Sequence, residues 1–299
     1  MPRLFCFGLG YSALHLADRL IAEGWEVAGT CRTEAKQAML SRRGIETHLF
    51  DRGRPLDDAG AAFGGTTHLL SAVPPDGEGD PVLDHHGADL ARLRGLAWVG
   101  YLSTTSVYGD RAGGWVDEES ARHPMGPRGR RRAAAEDGWL ALWRDCGVPA
   151  HLFRLSGIYG PGRSAIDAVR AGTAKRIDKP GHVFNRIHVA DIAAVLRASM
   201  DRPNPGAAYN LADDGPAPSR AVTEHACALL GVEPPPLVPF EEADLTPMAR
   251  SFWADNKRVS NRRIKEELGI RLCFPGYRDG LAAQLAEERA PGKDAADTP

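Results

Sequence analysis

Short apolar runs alternate with longer segments that carry apolar side chains at helical spacing through the first half of the chain. The first run, Arg3–Phe7, leads into glycines and then into apolar positions at helical spacing up to Gly24, which predicts a strand, a tight turn and a helix. Further strands are predicted at 26–31, 45–50, 67–73, 98–104 and 150–155. Because strands and helices alternate, we predict an α/β fold with a doubly wound parallel sheet of the Rossmann type, covered by helices on both faces.

The second half of the chain is less regular and richer in proline. Candidate elements there are helices at 164–171, 189–200 and 220–230 and a strand at 208–211. We expect a Rossmann domain over 1–160 and a smaller C-terminal substrate lobe over 161–286, from which some strands and helices return to the Rossmann domain. The tail 287–299 combines proline and glycine with charges and has little to bury, so it is expected to be disordered.

Composition and charge limit the classes of molecule that the protein is expected to bind. The chain has 299 residues, a net charge of −2 and a pI near 6.6, so no global basic field is available to hold nucleic acid or an anionic membrane. Its five cysteines are scattered without a CxxC pair or metal-ligand spacing, which favours reduced thiols and no zinc site. The sequence also shows neither a signal-peptide pattern nor a long apolar segment. We therefore expect a cytoplasmic protein that binds no metal, nucleic acid or membrane.

The turn after the first strand fits a dinucleotide fingerprint, Gly8-x-Gly10-x-x-Ala13, with Tyr11 and Ser12 between the last two positions. Gly8 permits the tight turn, Gly10 lets the backbone approach a pyrophosphate, and the small Ala13 lets the helix pack close to the sheet. A glycine-rich turn without a ligand is the alternative. The position of the motif at the first strand of the predicted sheet favours cofactor binding.

The end of the second strand bears on the choice of cofactor. Enzymes that use NAD commonly carry Asp or Glu there to bind the ribose 2′-hydroxyl, whereas this chain has Arg32, with the hydroxyl of Thr30 or Thr33 nearby. A guanidinium can pair bidentately with a 2′-phosphate, so NADP(H) is favoured over NAD(H). The alternative for Arg32 is a solvated cation at a strand end. Asp51, after the third strand, is a candidate acceptor for the adenine amino group, although an acidic turn residue needs no ligand.

Five ordered motifs carry a resemblance to a known family. They are Tyr-Leu-Ser-Thr-Thr-Ser-Val-Tyr-Gly at 101–109, Val-Asp-Glu at 116–118, a proline- and arginine-rich segment at 124–136, Arg-Leu-Ser-Gly-Ile-Tyr-Gly-Pro-Gly at 154–162 and Arg-Ile-His-Val-Ala-Asp-Ile at 186–192. From about Leu4 to about Leu281 the chain resembles the extended short-chain dehydrogenase/reductases, which are NAD(P)-dependent epimerases and dehydratases, and in particular an atypical bacterial branch of them. The resemblance also implies that Ser71 and Ala72, small residues at the end of the fourth strand, lie along the cofactor.

The resemblance assigns one catalytic position that is retained and two that are changed. In the family, a Ser or Thr three residues before Val-Tyr-Gly binds the substrate oxygen, and here that position is Thr104. A tyrosine normally exchanges a proton with the substrate, and a lysine four residues later lowers its pKa and binds the ribose; these positions are Arg128 and Arg132. Arginine stays protonated and has no acceptor lone pair, so it cannot be a general acid or base near neutral pH. The usual proton relay is therefore expected to be absent.

The two arginines leave two interpretations open. Arg132 can still donate to the nicotinamide ribose, and Arg128 lies one helical turn away on the same face, so the pair could clamp an anionic substrate. Alternatively, the arginines form a solvated basic face that pairs with Glu136 or Asp137. In either case another group must supply the proton.

Tyr108 is the first substitute for the missing proton donor, because it follows the strand that carries Thr104. Its alternative role is that of a packed aromatic whose hydroxyl bonds to the protein. Tyr159 is expected to shape the loop after the sixth strand. His188 precedes a predicted helix and is expected to have a structural role between elements.

The leading functional hypothesis is an NAD(P)-dependent oxidoreductase or epimerase-like enzyme that exchanges hydride with a small polar substrate held between the lobes. The substrate is anionic if Arg128 contributes to its binding. The alternative is a catalytically silent protein that senses NADP(H). The sequence leaves the oligomeric state open, and the resemblance admits a homodimer, since family members often pair through helices that include the one after Arg132.

Overall fold

The computed structural model describes residues 1–289, and its elements alternate as the hydrophobic pattern predicts. The strands are β1 (Arg3–Phe7), β2 (Glu26–Cys31), β3 (Glu46–Leu49), β4 (His68–Ser71), β5 (Trp98–Thr104), β6 (Trp115–Val116), β7 (Ala150–Leu155), β8 (Gly157–Tyr159), β9 (Arg176–Asp178), β10 (Arg186–His188), β11 (Ala208–Leu211), β12 (Leu237–Pro239) and β13 (Arg258–Val259). The α-helices are α1 (Tyr11–Ala22), α2 (Glu34–Arg42), α3 (Ala59–Ala62), α4 (Pro81–Arg92), α5 (Pro127–Cys146), α6 (Ala165–Arg170), α7 (Val189–Asp201), α8 (Ser219–Leu230), α9 (Pro247–Ser251), α10 (Arg262–Glu266) and α11 (Tyr277–Arg289).

A seven-stranded parallel sheet forms the centre of the molecule, with the strand order β11-β7-β5-β4-β1-β2-β3. The chain builds outward from β1 through β2 to β3 and then crosses to β4 on the other side of β1. In open α/β sheets a reversal of this kind marks the ligand crevice, which here corresponds to the carboxyl ends of β1 and β4. The predicted doubly wound α/β fold is confirmed.

The strands are buried on both faces because their apolar side chains alternate between two cores. Leu4 and Cys6 of β1 belong to one core, which includes residues of α1 and α7, while Phe5 and Phe7 belong to the opposite core with residues of α4 and α5. Near-continuous apolar runs are typical of parallel strands covered on both faces. The helix layers thus hold the carboxyl edge of the sheet in a fixed geometry.

The C-terminal lobe is built from short parallel strand pairs, β8 with β10 and β9 with β12, and from helices α6, α8 and α11, which contact one another through an apolar cluster. The strand predicted at 208–211 is correct in its bounds, and as β11 it pairs with β7 at the edge of the main sheet. The helix α7 also returns to the sheet, where it packs against α1.

The end of the described chain is helical, and the described residues contain neither a membrane-spanning helix nor a metal-binding group. Residues 287–289, predicted as the start of a disordered tail, are the last residues of α11, and 290–299 lie outside the described residues. Within residues 1–289, no helix combines the length and apolar character needed to cross a membrane. The same part of the chain contains no group of three or more His, Cys, Asp or Glu side chains that could hold a metal ion.

Candidate functional site

The predicted glycine turn lies at the crevice between β1 and β4. Gly8 has φ of +83°, and its backbone N–H donates to Thr30 Oγ1 at 2.8 Å, which ties the turn to β2. A Cβ atom on Gly8 would lie 3.2 Å from Val73 Cγ2, in the segment that leaves β4. The left-handed backbone and the close approach of Val73 both favour glycine at this position.

The N-terminus of α1 follows directly and is not capped. Gly10 is the N-cap residue, no side chain caps the helix, and the first turn carries no acidic residue. The backbone N–H groups of Tyr11, Ser12 and Ala13 have no acceptor among residues 1–289. Buried Ser12 and Ala13 seat the helix against the sheet. The free N–H groups and the helix dipole make this end of α1 a site for an anion such as a pyrophosphate.

The Tyr11 side chain joins this turn to the C-terminal lobe. Its hydroxyl donates to the carbonyl oxygen of Pro161 at 3.0 Å, and the guanidinium of Arg163 lies 5.8 Å from the centre of its ring. Burial raises the pKa of Tyr11. The predicted cofactor residue therefore also links the two parts of the molecule.

The end of β2 presents two guanidinium groups. Arg32 is exposed and forms no ion pair within the described chain, while Arg54 Nη2 donates to the carbonyl oxygen of Arg32 at 2.9 Å. Arg54 also pairs with Asp51 Oδ2 at 3.1 Å, and Asp51 Oδ1 accepts the Gly53 N–H at 3.0 Å. Asp51 thus closes its own turn, and a role toward adenine stays a prediction. Sequence reasoning missed Arg54, since nothing local shows that it folds back on β2.

The two small residues at the end of β4 differ in accessibility. Ser71 is fully buried and its hydroxyl has no hydrogen-bond partner, so the structure does not place it on a surface that a cofactor could touch. Ala72 is half-buried, donates its N–H to Phe7 at 2.9 Å, and lies beside Gly8. The prediction for Ser71 is therefore wrong in this conformation, whereas Ala72 lines the crevice.

Thr104 is the last residue of β5 and is half-buried at the carboxyl edge of the sheet. Its Oγ1 accepts hydrogen bonds from the backbone N–H and from the hydroxyl of Ser106, at 3.3 and 3.2 Å. A hydroxyl carries one hydrogen and two lone pairs, so the hydrogen of Thr104 stays free to donate to a substrate oxygen. Ser106, two residues after Thr104, is thus the side chain that contacts the Thr104 hydroxyl.

Arg132 reaches from α5 to the same end of β5. Its Nη1 donates to the carbonyl oxygen of Leu102 at 2.6 Å and to the hydroxyl of Tyr101 at 3.0 Å. The guanidinium also stacks on the Tyr101 ring at 5.6 Å. Because these contacts use only Nη1, the Nε and Nη2 hydrogens remain free for a ribose or a substrate.

Arg128 lies at the start of α5, exposed, with its guanidinium 4.8 Å from the centre of the Phe252 ring, a residue of the C-terminal lobe. Arg128 and Arg132 form no ion pair within residues 1–289. Glu136 pairs instead with Arg154 and with Arg122. Asp137 likewise pairs with Arg122. The interpretation in which Glu136 or Asp137 neutralises the basic face is therefore wrong.

Tyr108 does not face the crevice, which contradicts the prediction that it supplies the proton. It is fully buried; its hydroxyl donates to Asn210 Oδ1 at 2.7 Å and accepts from Arg154 Nη1 at 2.8 Å. Burial raises its pKa to about 12. The sequence placed Tyr108 near Thr104 correctly, but the short 3-10 helix at Thr105–Tyr108 turns the ring into the core.

A buried ion pair fixes α5 against the sheet. Arg154 of β7 donates from Nε and Nη2 to Glu136 Oε1 and Oε2 at 3.0 and 2.9 Å, and Ser103 of β5 donates to Oε1 at 2.6 Å. Glu136 is fully buried, so these donors satisfy a carboxylate that water cannot reach. The network sets where α5 presents Arg128 and Arg132 relative to Thr104.

Tyr159 and His188 have the structural roles that the sequence suggested. The Tyr159 hydroxyl donates to the carbonyl oxygen of Gly276 at 3.1 Å, and the ring packs edge-on against His188 at 5.1 Å. His188 caps α7 by accepting the Ala190 N–H on Nδ1 at 3.2 Å, and its ring contacts Phe274. These contacts hold the loop after β8 beside the first turn of α1.

Comparison with known proteins agrees with this geometry. The model of the NAD dependent epimerase/dehydratase family matches residues 54–212, more than half of the chain. The chain is similar to Protein YeeZ of Escherichia coli strain K12, with 27% identity over 284 residues that cover 92% of this chain and 97% of YeeZ. It is also similar to the solved structure of a functionally unknown conserved protein from Silicibacter pomeroyi DSS, with a TM-score of 0.89, 49% identity and coverage of 96% and 99%.

A more distant likeness shows the fold alone. The dTDP-glucose 4,6-dehydratase of Bacillus anthracis str. Ames, solved in complex with NAD, has a TM-score of 0.74 at 16% identity, with coverage of 97% of both chains. The family predicted from the five motifs is confirmed, and the likeness to YeeZ supports the atypical bacterial branch. The chain belongs to the NAD-dependent epimerase/dehydratase family.

Proposed function

We propose that this protein is an NADP(H)-dependent oxidoreductase that acts on a small polar substrate in the crevice at the carboxyl ends of β1, β4 and β5. The observation that carries the proposal is the uncapped first turn of α1 above Gly8 and Gly10, which offers backbone N–H groups to a pyrophosphate. Arg32, exposed and without an ion pair in the described chain, supports the preference for a 2′-phosphate over a 2′-hydroxyl.

The residues of this chain would divide the work at the nicotinamide end. The bound nicotinamide supplies hydride exchange, and the protein supplies orientation and charge. Thr104 donates its free hydroxyl hydrogen to the substrate oxygen, and Arg132 donates from Nε or Nη2 to the ribose. Arg128 binds an anionic group on the substrate, since an exposed guanidinium without a carboxylate partner can pair with one.

The proton must come from a group other than an arginine or the buried Tyr108. Ser106 is half-buried, and its hydroxyl donates to Thr104. The two hydroxyls form a short chain through which a proton can pass from water to the substrate oxygen. This arrangement replaces an ionisable side chain with a relay of neutral groups.

Turnover of NADPH with a panel of small carbonyl compounds, including carboxylated and phosphorylated ones, tests the proposal. We expect oxidation of NADPH with at least one anionic member, and a loss of about 100-fold or more in kcat/KM for Thr104→Val. Thr105→Val is the matched control, because it makes the same change one residue later at a buried position. Equal activity of both variants would overturn the role of Thr104.

A second candidate function is a catalytically silent sensor of NADP(H). It is favoured by the arginines at 128 and 132, which cannot serve as acid or base. Tight binding of NADPH without oxidation by any member of the panel would support the sensor. Activity abolished by Thr104→Val would exclude it.

We also propose that the protein forms a homodimer. A groove of about 620 Å³ runs between α4 and α5, where Gly138 lies so close to Leu83 that a Cβ atom would come within 2.8 Å. We expect a second copy to cover this groove. Sedimentation equilibrium should show a dimer for the wild type and a monomer for Ala141→Glu, and a monomeric wild type would contradict the expectation.

A further inference from the structure

A second cavity lies in the C-terminal lobe, apart from the crevice. It encloses about 180 Å³ between the end of β8, the loop before α6, the strand β10, the first turn of α8 and the helix α11. At about 30 Å³ per water molecule it has room for about six waters. That volume suits one small polar group and is below the roughly 300 Å³ at which cavities begin to enclose a whole organic ligand.

Arg186 gives this cavity its charge. Its Nη1 donates to the carbonyl oxygens of Phe184 and Ala217, both at 3.1 Å, and the guanidinium lies between the rings of Phe184 and Tyr277, at 5.9 and 6.0 Å. No carboxylate in residues 1–289 lies within 4.0 Å of it. Its hydrogen bonds within the described residues all come from Nη1, and Arg186 is one of the residues that line the cavity. A largely desolvated guanidinium without an anion is costly, so the site is incomplete as it stands.

The nearest acidic neighbour does not complete the site. Asp213 is buried, its Oδ1 accepts the Gly215 N–H at 3.1 Å, and its Oδ2 has no partner. Burial raises the pKa of Asp213 to about 7, with Arg186 opposing the rise. Asp213 is therefore partly protonated near neutral pH and forms no ion pair with Arg186, so the guanidinium has no direct anionic partner within residues 1–289.

Two further features of the cavity favour an anion. The helix α8 begins at Ser219 after Pro218, has no side-chain cap and carries no acidic residue in its first turn, so its N–H groups and dipole are uncompensated. Arg163 also lines the cavity; it is exposed, and its guanidinium lies 5.8 Å from the centre of the Tyr11 ring at the start of α1. The cavity thus combines two guanidinium groups with the positive end of a twelve-residue helix.

We propose that this cavity binds a phosphate group, held by Arg186 and Arg163 and by the first turn of α8. A bidentate contact from Arg186 Nε and Nη2 would satisfy the donors that the protein leaves free. The phosphate group comes either from free inorganic phosphate or from a phosphate monoester. The proposal does not depend on the proposed function, because none of the residues that carry it is assigned a role in cofactor binding or catalysis.

Calorimetric titration of the full chain with inorganic phosphate, at constant ionic strength, tests the proposal. The free N-terminus of α1 could also take up phosphate, so the titration is made with and without saturating NADP⁺. We expect Arg186→Met to raise the Kd for phosphate about tenfold or more, as loss of a bidentate charged contact should. Arg176→Met is the matched control, a half-buried arginine of the same lobe that already pairs with Glu224, and it should leave the Kd within about twofold.

A second variant protects the test against misfolding. Ser219→Asp adds a carboxylate to the first turn of α8, which stabilises the helix while repelling an anion from the cavity. We expect it to keep or raise Tm and to raise the Kd for phosphate about tenfold, with the Kd for NADP⁺ unchanged. Phosphate binding that is absent in the wild type, or equal in the wild type, Arg186→Met and Ser219→Asp, would overturn the proposal.

A parallel titration with glycerol 3-phosphate separates the two sources of the phosphate group. Tighter binding of inorganic phosphate assigns the cavity to the free ion, and tighter binding of the monoester assigns it to a phosphorylated organic ligand. Either result supports the proposal if Ser219→Asp raises the Kd of the tighter ligand about tenfold. Binding of neither compound contradicts it.

Discussion

The glycine turn before α1 and the start of α5 lie at the same edge of the sheet, yet they depend on the sequence in different ways. The turn offers backbone N–H groups. It depends on Gly8, which has a left-handed backbone conformation, and on Gly10, the N-cap residue, which has no side chain to cap the helix. The start of α5 offers side chains, Arg128 and Arg132, whose positions depend on distant contacts. A backbone site keeps its chemistry as long as the turn forms, whereas a side-chain site changes with a single substitution.

Under the proposed function, this difference accounts for a chain that keeps the donors of a cofactor site and has arginine at 128 and 132, where the family resemblance implies Tyr and Lys. At the turn, the donors are main-chain N–H groups, which every residue type except proline carries. At α5, arginine keeps the positive charge that can orient a ribose but has no proton to exchange near neutral pH. The proposed cofactor binding and the proton transfer thus depend on different residues of the same crevice.

The largest expected effect concerns the ion pair that holds α5. Glu136→Ala leaves Arg154 buried without its carboxylate, which should lower the free energy of unfolding by about 3–5 kcal/mol in urea denaturation. Asp137→Ala removes the neighbouring carboxylate, an exposed partner of Arg122, and should cost no more than about 1 kcal/mol. Equal losses in the two variants would mean that the buried pair does not fix α5.

Removal of the Tyr108 hydroxyl should affect stability rather than chemistry. Tyr108→Phe leaves Asn210 Oδ1 and one Arg154 hydrogen without a partner in the core, at a cost of about 1–3 kcal/mol in the free energy of unfolding. Because the hydroxyl does not face the crevice, kcat should stay within about twofold of the wild type. A drop in kcat of about 100-fold with unchanged stability would restore Tyr108 as the proton donor and contradict the structural assignment.

Substitution of two glycines with the same backbone angle distinguishes the effect of backbone strain from the effect of contact with a neighbouring side chain. Gly8 and Gly24 both have φ of +83°, but only at Gly8 would a Cβ atom meet a neighbour, Val73 at 3.2 Å. Each change to alanine should cost about 1–2 kcal/mol of stability through the left-handed backbone. Only Gly8→Ala should also raise the Kd for NADPH, by about tenfold, because it deforms the turn. Unchanged cofactor affinity in Gly8→Ala would separate the turn from cofactor binding.

The main sheet could be predicted from the sequence because its strands are long enough to show an apolar run. The bounds of β1, β2, β5, β7 and β11 match the predicted ones. The strands β6, β8, β9, β10, β12 and β13 are only two or three residues long, and their partners lie far along the chain, so no local pattern marks them. The bounds of β11 could be predicted, but its pairing with β7 depends on a contact between segments more than fifty residues apart, which no local pattern shows.

In the candidate site, too, local features could be predicted from the sequence and long-range contacts could not. Gly8, Gly10 and Thr104 lie where their motifs predict, because a turn and a strand end are local features. The burial of Ser71 and Tyr108 depends on which face of the backbone packs against the core, and the sequence motif does not contain that information. Long-range contacts, such as that of Arg54 with β2 or of Phe252 with Arg128, became visible only in the fold.

Equilibrium titration of NADPH and NADH against the wild type and Arg32→Ala is the most direct test of the central claim, that this chain retains an NADP(H) site at the glycine turn. The wild type should bind NADPH about tenfold more tightly than NADH, and Arg32→Ala should remove that preference without weakening NADH. Arg42→Ala, which removes an exposed arginine at the end of α2, should leave both affinities unchanged. Equal affinity of the wild type for both nucleotides would contradict the preference, and binding of neither would contradict the site itself.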